Sequence, residues 1–98
     1  MRLAAVALVA ACHSPAPTSG VLPNDAIVSI HSNVRDAELF VDGRDVGPLL
    51  AVRGGVALVP GFHRFELRRE DFFSSYLELE LGRAERKKVA MDMSPILP

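Results

Sequence analysis

The sequence predicts an all-β protein, a small antiparallel β-sandwich of six to seven short strands preceded by a signal peptide and a flexible tether. Three observations predict it. From residue 26 onward, apolar and polar residues alternate in short runs, the period-2 pattern of half-buried strands. Turn dipeptides separate those runs: Asp42-Gly43, Gly54-Gly55 and Pro60-Gly61. No segment past residue 25 repeats its apolar residues at helical spacing, and many short strands with turn signals between them describe a sandwich or open barrel.

The elements follow in order. Val28 and Ile30 share one face of a first strand, with Ser29 and His31 on the other. Ala37, Leu39 and Val41 line one face of a second, while Glu38 and Asp42 point away. Asp42-Gly43 then supplies a hairpin turn, because both residue types accept the positive φ that tight hairpins require. A third run lies near Val46, followed by Gly47-Pro48, and a weaker strand spans Val56 to Val59. Pro60-Gly61 reads as a type II turn, proline first and glycine second. His63, Phe65 and Leu67 alternate with Arg64, Glu66 and Arg68; Leu77, Leu79 and Leu81 alternate with Tyr76, Glu78 and Glu80. Gly82 ends that run, residues 83–88 read as a solvated hairpin loop, and Val89, Met91 and Met93 line the last strand.

The first residues have a different character. Met1-Arg2 precedes the apolar run Leu3 to Ala11, the charge-then-apolar layout of a secretory signal. That run is too short to span a bilayer, which takes about 20 apolar residues. Leu8-Val9-Ala10-Ala11-Cys12 resembles the lipobox of bacterial lipoproteins, whose signal is cut just before a cysteine that then carries acyl chains. The resemblance implies that residues 1–11 are a lipoprotein signal peptide and that Cys12, the only cysteine, is the lipidation site. It also implies a membrane attached through that anchor and a place in the bacterial cell envelope. His13 rather than an acidic residue follows the cysteine, which by the sorting rule of some Gram-negative bacteria implies the outer membrane. Residues 12–25 then form a Pro/Ser-rich tether, whose extended part would hold a domain roughly 30 Å from the surface.

The remaining residues suffice for one small domain, 26–94, with a short tail at 95–98. From Ile27 to Met93 the chain is similar to the PEGA domain, a β-rich module of bacterial and archaeal envelope proteins. Ser32-Asn33-Val34-Arg35-Asp36-Ala37 stands where that family has a Ser-x-Pro-x-Gly-Ala turn. Leu39-Phe40-Val41-Asp42-Gly43 matches its strand ending in Val-Asp-Gly, and Gly47-Pro48 matches the glycine and proline beyond. Pro60-Gly61-Phe62-His63 reproduces its Pro-Gly-x-His element. Val34 and Asp36 replace the proline and glycine of the family's first turn, and Asp71-Phe72 stands for its Gly-Tyr; Asp36 and Asp71 are expected to enter the left-handed region that aspartate tolerates. Asp42, Gly43, Gly47, Pro60 and Gly61 are accordingly expected to shape turns rather than supply chemistry.

A net charge of −1 gives no electrostatic footprint for nucleic acid. His13, His31 and His63 have no fixed ligand spacing, so no metal and no cofactor is expected. His63, on the side of Phe65 and Leu67, is expected to be partly buried and hydrogen-bonded. Asp42, Asp45, Glu70 and Asp71 fall in turns, where acidic residues accept from backbone amides. Ser74-Ser75 lacks a base and an elbow, and Gly54-Gly55 lacks a following helix, so no enzyme activity is expected. The candidate contacts are Phe62, Phe72 and Tyr76, with Phe62 and Phe72 forming an apolar platform if their turns are adjacent. Arg86, Lys87 and Lys88, beside Arg64, Arg68 and Arg69, are the candidate basic patch for an anionic surface or glycan. The function expected is a lipid-anchored envelope binding or structural module, with envelope polysaccharide or an envelope protein as partner. The alternatives are an accessory subunit that pairs through an edge strand, or a soluble secreted carbohydrate-binding domain.

Overall fold

A computed structural model describes residues 22–97. The expected signal peptide, Cys12 and most of the expected tether lie outside the described residues.

The described residues form a small all-β sandwich of seven strands. They are β1 (Ala26–His31), β2 (Glu38–Val41), β3 (Arg44–Pro48), β4 (Val56–Leu58), β5 (Gly61–Arg68), β6 (Ser75–Leu81) and β7 (Arg86–Ala90), with a 3-10 turn at Leu49–Val52 between β3 and β4. One sheet has the order β4-β1-β7 and the other β3-β2-β5-β6. The inner faces meet in one core: Ala26 and Val28 from β1, Leu39 and Val41 from β2, Phe65 and Leu67 from β5, Leu81 from β6, and Met91 and Met93 beyond β7. Val34 joins them at 5% exposure, so its branched side chain serves as a core residue, and the turn closes through Ala37 N donating to Val34 O at 3.3 Å.

The alternation places side chains on the expected faces, but neighbours differ in three places. β7 pairs with β1 in parallel, Ile30 opposite Val89, so the smaller sheet is mixed rather than purely antiparallel. Period-2 patterning specifies a face and carries no information about which strand lies alongside. The expected loop at 83–88 shrinks to a turn at residues 82–85, with Ala84 at φ 55°, and Arg86, Lys87 and Lys88 belong to β7. Pro60-Gly61 is not a type II turn: Gly61 has φ 132° and already belongs to β5, while β4 lies in the other sheet. Proline and glycine there form the corner at which the chain changes sheets.

Asp42-Gly43 does form the β2–β3 hairpin turn, with φ 53° and 82° and Val41 opposite Arg44. Gly47 serves a bulge instead of a turn. Leu39 opposes Gly47 while Phe40 opposes Asp45, leaving Val46 as the extra residue, and Gly47 takes φ 107° with its N–H donated to Asp45 Oδ1 at 2.8 Å. Asp71 enters the left-handed region at φ 72° as expected, whereas Asp36 does not and instead receives Arg69 Nη1 at 2.8 Å.

Both termini of the domain are stitched down. Asn33 Nδ2 donates to Met93 O at 2.9 Å and Met93 N donates to Asn33 Oδ1 at 2.9 Å, a two-way clasp between the first turn and the last core residue. Residues 95 and 96 are more than a tail: Pro95 bridges Phe72, and Ile96 N donates to Asp71 O at 2.9 Å. At the other end, Ala84 N donates to Asn24 O at 3.0 Å, so the segment preceding β1 docks on the β6–β7 turn.

Candidate functional site

The outer face of the larger sheet gathers the side chains capable of recognition. Because β2, β5 and β6 each send alternate residues inward, Phe40, Arg64, Glu66, Arg68, Tyr76, Glu78 and Glu80 are left on the outside. Register sets them in rows: Asp45, Phe40, Glu66 and Tyr76 form one row across the four strands, and Arg64 opposes Glu78 in the next. Between Phe40 and Tyr76 lies an open groove of about 380 Å³, with Glu66 on its floor and Arg64 and Glu78 at its side.

Several polar groups on this face have defined partners. Arg68 grips Glu66 with Nε to Oε2 at 2.7 Å and Nη2 to Oε1 at 3.2 Å, and its guanidinium lies 3.9 Å from the centroid of the Phe40 ring. That grip, reinforced by the positive charge and by the Tyr76 hydroxyl, holds the Glu66 carboxyl below its ordinary value despite partial burial. Arg64 Nε meets Glu78 Oε2 at 3.2 Å. At the β3 side, a hydrogen bond with Asp45 pushes the Glu38 carboxyl above its ordinary value, with desolvation and the like charge acting in the same direction. Tyr76 is 71% exposed. A planar aromatic ring beside fixed carboxylate and guanidinium groups can stack on a flat polar ring and hydrogen-bond its hydroxyls.

The other candidate contacts scatter. Tyr76 lies in the groove. Phe62, 63% exposed, stands on the same face at the start of β5, opposite Glu80. Phe72 follows the far end of β5, packs partly against the core and lies beneath Arg69 at 5.5 Å. Phe62 and Phe72 therefore sit at opposite ends of an eight-residue strand and make no common platform. Arg86, Lys87 and Lys88 lie on β7 in the other sheet, so they share no patch with Arg64, Arg68 and Arg69. Those three arginines are engaged with Glu78, Glu66 and Asp36, and Lys87 with Glu85 at 3.2 Å. Phe40 and Glu66 are the groove residues that the sequence reading passed over. Their signal was present, since alternation with Leu39, Val41, Phe65 and Leu67 puts both outside.

His63 is buried at 7% exposure between two acceptors, Asp42 Oδ2 at 2.6 Å from Nδ1 and Val59 O at 2.7 Å from Nε2. It locks the sheet-crossing corner to the β2–β3 hairpin. Asp42 also accepts from Arg64 N at 2.9 Å, so one carboxylate braces both strands. Among the described residues, no group of three or more His, Cys, Asp or Glu side chains converges on a point that would hold a metal ion. No helix among them is long and apolar enough to cross a membrane. No family model and no curated protein matches the chain.

Proposed function

We propose that this chain is a lipid-anchored cell-envelope module of the PEGA type, held to the outer membrane through Cys12 and acting by binding rather than catalysis. The anchor reading rests on the lipobox-like Leu8-Val9-Ala10-Ala11-Cys12. Acyl chains there would hold the domain firmly, each buried CH₂ contributing about 0.8 kcal/mol. The binding partner is an envelope polysaccharide, and the observation that carries this is the open groove in which exposed Tyr76 faces Phe40 across the fixed carboxylate of Glu66. Aromatic faces with fixed polar groups suit sugar rings, which present C–H faces and hydroxyl edges.

Detergent phase partition and intact mass of wild type and Cys12→Ser, expressed in a bacterium, test the anchor. The wild type enters the detergent phase with an acyl-sized mass increment, and the variant does neither. Calorimetry with soluble cell-wall glycan fragments tests the groove. Tyr76→Ala is expected to weaken binding roughly tenfold, about 1.4 kcal/mol, the cost of losing a central aromatic contact. Equal affinity for wild type and variant would discard the groove as the binding site.

A further inference from the structure

The two sheets end on strands of opposite charge. β6 is an outer strand of the larger sheet and β7 an outer strand of the smaller one. Among the described residues, each therefore leaves one row of backbone N–H and C=O groups without a strand partner. On the solvent side β6 carries Tyr76, Glu78 and Glu80, and β7 carries Arg86, Lys88 and Ala90. On the core side β6 carries Leu77, Leu79 and Leu81 and β7 carries Val89, all packed with the core, together with Lys87, which pairs with Glu85 at 3.2 Å. Among the described residues Glu80, Arg86 and Lys88 form no ion pair, and Glu78 is held only by Arg64 at an exposed site.

The turn between these strands is tight. Glu85 N donates to Gly82 O at 3.3 Å and Gly82 N donates to Glu85 Oε1 at 2.7 Å. β7 therefore starts where β6 ends, and Phe73 N donating to Ser94 O at 2.9 Å brings the chain beyond β7 back to the start of β6, in the other layer of the sandwich. The acidic edge and the basic edge bound the same side of the molecule.

We propose that this side is a homodimer interface, in which β6 of each copy pairs antiparallel with β7 of the other. A two-fold axis along the strands does this in one operation. It preserves strand direction, so the second copy's β7 comes alongside β6 in antiparallel sense. It inverts the layers, so the core-facing rows of both strands end on the same side and Leu77 comes opposite Val89 of the second copy. It also keeps each residue at its own height, which brings Glu80 and Glu78 opposite Arg86 and Lys88 of the second copy. The pairing is reciprocal and closes at two chains. Joining β6 to β6 or β7 to β7 would set like charges opposite one another, which disfavours both.

Sedimentation of the purified full chain tests this, with charge reversal on one edge at a time. Wild type sediments at twice the chain mass at micromolar concentration. Glu78→Lys with Glu80→Lys, and separately Arg86→Glu with Lys88→Glu, each sediment as monomers with unchanged far-UV circular dichroism. An equimolar mixture of the two variants regains the doubled mass, because each then offers the edge the other lacks. A second measurement leaves the charges largely in place. In a Cys12→Ser background, Glu78→Cys and Lys88→Cys chains oxidised together form a heterodimer faster than either forms a homodimer. A monomeric wild type, dimers indifferent to both reversals, a mixture that stays monomeric, or equal rates of the three disulfides would each overturn the proposal.

Discussion

Replacing Asp42 by Asn isolates the contribution of the buried His63 charge. The two ring nitrogens of His63 face two acceptors, the Asp42 carboxylate at 2.6 Å and the Val59 carbonyl at 2.7 Å. A neutral imidazole has one N–H and satisfies only one of them, so the geometry fits the imidazolium. Burial works against that charge, but the hydrogen bonds to Asp42 and Val59 and the negative charge of Asp42 outweigh it, raising the pKa of His63 above its ordinary 6.5. The amide of Arg64 and then His63 lower that of Asp42 below its ordinary 3.8, against its own desolvation. The histidine therefore contributes stability in full below pH 6.5, lost as pH climbs through its raised value. The aspartate contributes in full above pH 3.8, lost as pH falls through its lowered value.

Asn accepts the φ of 53° at position 42 as readily as Asp, and its side-chain oxygen can still receive Arg64 N–H, so the turn survives while the charge goes. A hydrogen bond to a charged group contributes about 1.5–3 kcal/mol when desolvated, and an exposed ion pair about 0.2–1 kcal/mol. The His63 side chain is 9% exposed and that of Asp42 is 48%, so the variant should cost between these limits, roughly 1 kcal/mol. In a domain of this length that lowers Tm by about 4–8 °C. Thermal unfolding followed by circular dichroism measures it at about pH 5.5, below the ordinary histidine value, and again near pH 9, well above it. The gap between wild type and Asp42→Asn is expected to be largest at the lower pH and to shrink at the higher. An equal gap at both values, or no gap at pH 5.5, refutes the charged-histidine reasoning.

Two further perturbations probe the frame around the sandwich. Gly55 has φ 110°, and an added Cβ would meet Ile27 Cγ2 at 2.7 Å, so Gly55→Ala should destabilise the domain by about 1–3 kcal/mol in urea unfolding, by loosening β4 from β1. Asn33→Ala removes both halves of the clasp to Met93; two part-buried hydrogen bonds make the expected loss about 1–3 kcal/mol, with faster amide exchange at Met93.

Most of the strands and the faces of their side chains were legible in the sequence, although the start of β7 and the corner at Pro60-Gly61 were not. Alternation alone assigns Val28, Leu39, Val41, Phe65, Leu67 and Leu81 to the core, because a pleated strand has a fixed period of two. Asp42-Gly43 likewise announces its hairpin, since few residue pairs accept two successive positive φ values. His63 was legible as a buried, bonded histidine for the same reason as Phe65: it shares that strand's inner face. Adjacency came from the folded packing instead. The β6–β7 segment has the charge pattern of a hairpin, acids before the turn and bases after it, yet the two strands part at Gly82 and enter different sheets. The parallel β1–β7 pair joins residues some sixty positions apart, and no local pattern records such a pairing. The groove depends on it too. Phe40, Glu66 and Tyr76 become neighbours only through the register of three strands, which packing of the buried face selects and the exposed side chains inherit.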